Sequence, residues 1–295
     1  MKNYSIANHD LILTVSELGA SIIELSTVDS KFPLLRPVEL SADFNASQSA
    51  MFPLVPFANR IKGNCFIWEK QKLHWPKHAL DAFFFLHGNG WIQNWEIIKQ
   101  SINQLTFEVN SVINDICHYQ ATINYQLLDK ELLIELSVTN KSKTRFPFGL
   151  GLHPFFTVLP NTKIQFNAAG LWLEDSKHLP TEFITPIPDT FSCNEQRTIP
   201  NIWINNGYTN WSGTATLQHD NGINITLTSD CPILQVFKFA NNEVSNQQHN
   251  FICLEPQSHA VNDHNNPNYG LLKILEPEQS TAIWMKIGIE LPLIA

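Results

Sequence analysis

Apolar residues recur at every second position over much of this chain. Between positions 119 and 139, Ala121, Ile123, Tyr125 and Leu127 fall on one face of an extended segment, with Thr122, Asn124 and Gln126 on the other. Beyond Asp129-Lys130, Leu132, Ile134, Leu136 and Val138 alternate with Glu135, Ser137 and Thr139. Two period-two runs around a polar pair predict a β-hairpin. A second hairpin is predicted over 214–228, where Asn221-Gly222 supplies the pair of positive φ angles that tight hairpin turns favour. The same alternation marks Leu11, Leu13 and Val15 near the start, and Ile283, Met285, Ile287 and Ile289 near the end. No capped amphipathic stretch exceeds about three helical turns. Residues 177–202, punctuated by Pro180, Pro186, Pro188 and Pro200, read as a long irregular connection. With no internal repeat and no Gly/Ser linker, the pattern predicts one all-β domain over residues 1–295, a large antiparallel β-sandwich.

Composition narrows the function. Of the 295 residues, only 16% are charged, against roughly 25% in an average domain. The net charge is -8 and the 19 Lys and Arg residues are scattered. A surface without a basic stripe cannot release the counterions of a phosphate backbone, so nucleic acid is excluded as a partner. No apolar run approaches the ~20 residues that span a bilayer, and the N-terminal segment lacks a signal-peptide core. Five cysteines with no CxxC pair read as reduced thiols rather than a disulfide framework or zinc site. A cytoplasmic protein that binds neither membrane nor nucleic acid is the expectation.

Chemistry is concentrated in four segments where polar residues interrupt apolar or turn-rich surroundings. They are Asn59-Arg60 in FPLVPFANRIKG, His87 in FFFLHGNGW, His153 in GLHPFF, and Glu255 in FICLEPQ. A carboxyl ending an apolar strand must be paired, hydrogen-bonded or protonated. Burial raises its pKa toward the range of a general base. The same residue also reads as a strand-end ion pair. His153 can exchange a proton near neutral pH, and Pro154 holds it extended; it also reads as a core histidine bonded to a carbonyl. His87 is either a ligand donor or a loop histidine, and Arg60 either a clamp on a ligand or a salt-bridge partner. The 8 Trp and 19 Phe include faces suited to the C–H faces of sugars, although most belong to the core. Dinucleotide, P-loop, zincin and nucleophile-elbow motifs are missing. His259, Asp263 and His264 match no strong metal-ligand spacing.

Together, NRIKG, LHG, GLHPFF and the Glu-Pro of CLEP resemble the aldose 1-epimerase, or galactose mutarotase, family, in order from about residue 10 to the end. The resemblance implies a galactose mutarotase-like supersandwich with an open sugar cleft, no cofactor and no metal. It implies that Glu255 is the general base at the anomeric hydroxyl and His153 the general acid at the ring oxygen of a free hexose such as glucose or galactose. Asn59, Arg60 and His87 would hold the sugar, and the catalytic pair would flank a gap wide enough for a pyranose. One departure stands out: the family's sugar-binding aspartate is replaced by Asn205 in INNGYTNWSG. Asparagine can donate and accept but carries no charge, so sugar preference is left open. So are two other readings, a carbohydrate-binding protein without activity and an epimerase of a modified or phosphorylated sugar. Only Arg60 and Lys62 lie in the candidate segments, too few for a phosphate clamp.

Overall fold

The computed structural model describes residues 1–77, 81, 83–114, 116–240 and 250–292. The chain opens with a meander of β1 (Asn3–Ala7), β2 (Leu11–Ser16) and β3 (Ile22–Thr27), followed by β4 (Met51–Leu54). A small hairpin of β5 (Cys65–Trp68) and β6 (Gln71–His74) comes next. Four consecutive strands then pair in turn: β7 (Glu96–Gln100), β8 (Gln104–Ile113), β9 (Cys117–Leu128) and β10 (Glu131–Asn140). The middle of the chain supplies β11 (Phe146–Phe148), β12 (Gly151–Thr157), β13 (Lys163–Phe166), β14 (Gly170–Glu174), β15 (Pro180–Ile184) and β16 (Arg197–Thr198). It ends with β17 (Ile204–Thr209), β18 (Thr214–Gln218), β19 (Asn224–Ser229), β20 (Ile233–Lys238), β21 (Phe251–Gln257), β22 (Lys273–Leu275) and β23 (Ser280–Glu290). Helical pieces among the described residues are three-residue 3-10 turns, and none of them is long and apolar enough to cross a membrane.

Two large antiparallel sheets result. One has ten strands in the order β1-β2-β3-β4-β12-β21-β20-β17-β14-β15; the other has nine, β16-β13-β18-β19-β23-β10-β9-β8-β7. Alternation explains the contact between them. In β9, Cys117, Tyr119, Ala121, Ile123, Tyr125 and Leu127 are each no more than 2% exposed, and join a core shared with the inward face of the ten-stranded sheet. The sheets touch where Tyr4 meets Phe107 edge-on at 5.5 Å, where Phe166 meets Tyr208 at 4.9 Å, and where the Tyr125 hydroxyl donates to the Ala20 carbonyl. This is the large antiparallel sandwich that the period-two pattern predicts.

Both predicted hairpins form, with one difference in detail. Leu128 pairs with Glu131 across Asp129-Lys130, as expected. The second hairpin closes between Gln218 and Asn224, so its loop spans five residues, and within it Gly222 alone has positive φ, at 84°. The His219 backbone pairs with Ile223, and Gly222 N–H donates to the His219 carbonyl. Residues 177–202 are less irregular than their prolines suggest, because β15 forms there and closes one sheet edge against β14, and the two-residue β16 closes an edge of the other sheet against β13. Pro180 begins that strand and Pro186 follows it, positions where an edge strand needs no ladder N–H.

The centre of the ten-stranded sheet departs from alternation. Every residue of β12 and β21 is buried. A second apolar cluster explains this: Phe52, Leu54, Trp91, Phe155, Phe251 and Cys253, with Ala46 and Ala58, cover the face turned away from the main core. Strands covered on both faces lose the polar half of their pattern, so a charged residue within them sits in a low-dielectric layer and needs a specific partner.

Candidate active site

The chemistry-bearing side chains lie in one row across five adjacent strands. On β4 and β12, Phe52 pairs with His153. The β12–β21 register, Gly151 with Gln257 and Phe155 with Cys253, places His153 opposite Glu255. Glu255 pairs in turn with Gln235 on β20, and Gln235 with Gly207 on β17. Directly opposed residues on one face of a sheet bring their Cβ atoms to about 4.5–5.5 Å, so backbone register alone delivers imidazole and carboxyl to each other. His153 Nε2 lies 3.2 Å from Glu255 Oε1, with both residues buried. The pair is therefore in contact, where the resemblance suggested a ring-sized gap; adjacent strands are too close to leave one.

Each member is held from a second side. Gln257, two residues along the same face, donates from Nε2 to Glu255 Oε2 at 3.0 Å. The His153 ring is sandwiched between Phe155 (centroids 4.5 Å apart, 21° between planes) and Phe52 (4.6 Å, 31°). Its Nδ1 is buried without a hydrogen-bond partner. Arg36 lies over the far side of Phe155, its guanidinium carbon 3.5 Å from the ring centroid, and donates to the Ser47 and Ser49 carbonyls.

The environment pushes both groups toward neutrality. Burial raises the Glu255 carboxyl to about 8, opposed by the Gln257 hydrogen bond and the Arg60 charge. Burial lowers the His153 imidazole to about 3, with the positive charges of Arg36 and Arg60 acting in the same direction. Two buried groups of opposite charge type, side by side and shifted in opposite directions, are a candidate for proton chemistry and not a surface ion pair.

The other predicted residues assemble around this pair. Asn59 and His87 interlock: Asn59 N–H donates to His87 Nδ1 at 2.9 Å, and His87 N–H donates to the Asn59 carbonyl at 2.9 Å. Both have left-handed backbones, with φ of 64° and 61°. Accepting at Nδ1 places the proton of neutral His87 on Nε2. The His87 ring stands 5.5 Å from His153, almost perpendicular to it. Gly88, at φ 67°, is required beside it, because a Cβ there would lie 2.5 Å from Pro56 Cδ. Arg60 Nη1 donates to Asn59 Oδ1 at 3.1 Å, while its buried Nε has no partner. Burial lowers its pKa, with Asp81, Glu174 and Glu255 acting against that shift. Asn205 lies on the same face, one residue pair away from the row, opposite Phe237.

Several site residues carried weak signals in the sequence. Gln235 interrupts ILQVF and Gln257 follows CLEP, both polar positions in apolar runs. Glu174 and Trp203 carried none; the end of β14 and the residue before β17 bring them together beside Asn205. Cys253, His153 and Glu255 offer ligand atoms all within 4.8 Å of one another, a set able to hold a metal ion, but the Arg36 and Arg60 charges that act on His153 oppose a further cation there. His259 and Asp263 bond to the backbone around them, and the His264 ring packs edge-on against Phe57 and Phe66. His259 accepts from Ala58 N–H and pairs its Nδ1 with the Ala260 carbonyl. Asp263 accepts from the Ala260 and Leu271 backbones and from Asn266.

Comparison with known proteins agrees with this architecture. The family profile described as aldose 1-epimerase matches residues 2–288. The uncharacterized protein YphB of Escherichia coli K12 is 35% identical over 293 residues, spanning 98% of this chain and 99% of that protein. A solved E. coli K12 structure, provisionally described as an aldose 1-epimerase, is 34% identical, with 99% of each chain covered and a TM-score of 0.91. A galactose mutarotase-like protein of Clostridium acetobutylicum shares the fold at 18% identity, with 98% and 95% coverage and a TM-score of 0.84. This chain therefore belongs to the aldose 1-epimerase family.

Proposed function

We propose that this protein interconverts the α and β anomers of a free hexose, with Glu255 and His153 as the proton-transfer pair and Asn59, Arg60, His87 and Asn205 arranged around the sugar. The observation that carries this reading is the 3.2 Å contact between two buried groups whose titrations shift in opposite directions. Opening a cyclic hemiacetal removes a proton from O1 and delivers one to the ring oxygen. Both oxygens are bonded to C1, so the base and the acid must be neighbours.

The protonation states follow the reaction. In the cyclic sugar complex, carboxylate Glu255 takes the O1 proton while imidazolium His153 donates to the ring oxygen. That leaves a protonated carboxyl, a neutral imidazole and the open-chain aldehyde. Rotation about C1–C2 and closure on the other face return both protons. Burial favours the neutral pair that accompanies the open chain. The mutual contact and the Gln257 hydrogen bond favour the ionic pair of the cyclic states. Opposed terms of this kind keep either state within reach, as a freely reversible reaction needs.

Phe237 and Trp203, in edge-to-face contact, add apolar rings near the pair, suited to the C–H surfaces of a pyranose. Polarimetry on freshly dissolved α-D-glucose or α-D-galactose tests the activity, with the uncatalysed rate as background.

The rate should follow a bell in pH. The pair is competent while it holds one proton in total. Below about 3 His153 binds a second, and above about 8 Glu255 releases the only one. We expect kcat/KM to be level between these limits and to fall about tenfold per pH unit on the alkaline side. An unchanged rate through pH 10 would remove Glu255 from the reaction.

A further inference from the structure

A second carboxyl group, linked to the neighbourhood of Glu255 by hydrogen bonds, is not used by the proton-transfer chemistry. Glu174, at the end of β14, accepts from Trp203 Nε1 at 2.9 Å and lies 3.0 Å from His178 Nδ1, both through Oε1. Its Oε2 accepts from Asn205 Nδ2 at 2.8 Å. Asn205 Oδ1 then accepts from Gln235 Nε2 at 2.9 Å. The chain stops there: Gln235 Oε1 is buried and has no hydrogen-bond partner, and Gln235 itself is 2% exposed.

The direction of this chain follows from chemistry. An ionised carboxyl only accepts, whereas each amide has one donating and one accepting end. Asn205 must therefore turn its nitrogen to Glu174 and its oxygen to Gln235. Gln235 must spend its nitrogen on Asn205, which leaves its carbonyl oxygen as the free end, on the residue directly opposite Glu255. The strand beyond makes room for it. Gly207 pairs with Gln235, and a Cβ at that position would stand 3.2 Å from Gln235 Oε1.

We propose that Glu174 is a positioning residue: through Asn205 it sets the hydrogen-bond polarity of the cleft, so that the Gln235 carbonyl oxygen meets a sugar hydroxyl as an acceptor. This rests on the sugar-binding reading above and deepens it. The occupant needs a donating hydroxyl beside the reacting centre, and a deoxy or O-methyl analogue at that carbon leaves the acceptor buried and unpaired. A site built around one hydroxyl discriminates strongly against ligands that lack it.

The test is anomer exchange, with kcat and KM measured separately, for a hexose and its singly deoxygenated analogues. The wild-type protein should disfavour one deoxy analogue by roughly 10–100-fold in kcat/KM. Glu174→Gln, whose amide can present either end to Asn205, should raise KM for the parent sugar more than it lowers kcat, and should abolish most of that discrimination. Glu174→Asp, which keeps an acceptor-only end, should restore part of it. Gly207→Ala crowds the same oxygen without touching Glu174 and should weaken the same discrimination, which covers the case of a misfolded Glu174→Gln. The proposal is overturned if wild-type protein treats all deoxy analogues alike. It is also overturned if Glu174→Gln slows every sugar equally, or if Gly207→Ala leaves the discrimination intact. Should wild-type protein fail to exchange anomers, the epimerase reading falls by itself. Saturation-transfer NMR of the same sugars then decides the role of Glu174 from binding.

Discussion

Replacing Glu255 by Gln will slow anomer exchange by ~10²–10⁴-fold, the usual worth of one proton-transfer partner, while leaving the chain folded. The amide keeps the size of the carboxyl and still offers Gln257 an acceptor in place of Oε2. Because burial already favours the uncharged carboxyl, the neutral amide is no foreign charge state at this position. What it loses is the ability to take and return a proton. Changing His153 to Gln should have a comparable effect, and the double variant should be little slower than the worse single one, because the two groups exchange protons with the same substrate as a unit. Polarimetric rates, paired with thermal unfolding of each variant, provide the check. A Glu255→Gln protein that turns over near the wild-type rate would show that the contact at 3.2 Å is only structural.

The largest stability effect is expected where the two sheets meet. Phe107 on β8 is fully buried, paired with Ile97 and Ile123, and packed edge-on against Tyr4 from the opposite sheet and Tyr125 from its own sheet. Truncation to Ala removes a whole ring from a site that cannot collapse, because its neighbours are fixed in two hydrogen-bonded sheets. The expected cost is ~3–5 kcal/mol, read as a lower denaturant midpoint with an unchanged slope. Ile102, 85% exposed at the β7–β8 turn, is the control, and its truncation should cost no more than ~0.5 kcal/mol. Activity of the Phe107→Ala protein below its transition should stay close to wild type, since the proposed catalytic row lies on the opposite face of the ten-stranded sheet from Phe107. A loss smaller than about 1 kcal/mol would mean the sheets are not tightly packed there.

Much of the strand content was legible from local pattern. The β9–β10 hairpin, the β18–β19 hairpin and β23 follow from period-two alternation, because one face of each strand meets the core and the other meets solvent. The rule fails where that condition fails. The runs GLHPFFT and FICLEPQ carry no alternation, since a second apolar layer covers their outer face. Residues 177–202 hide an edge strand because prolines are tolerated where no ladder N–H is needed.

His153, Glu255, Asn59, Arg60 and His87 were recognisable by residue type, because a polar group within an apolar run requires a reason. By itself, then, the amino-acid sequence determined the all-β class, the strands with one wet face, the family and the identity of the candidate proton carriers. Only the tertiary structure decided that His153 and Glu255 touch, that burial moves their titrations in opposite directions, and that hydrogen bonds join Glu174, Asn205 and Gln235. Sheet register joins residues far apart along the chain: positions 153, 255, 235 and 207 form one row only because β12, β21, β20 and β17 happen to be neighbours. Local propensity carries no information about that order. It is chosen by the packing of two whole sheets, and the electrostatics of the site follow from it.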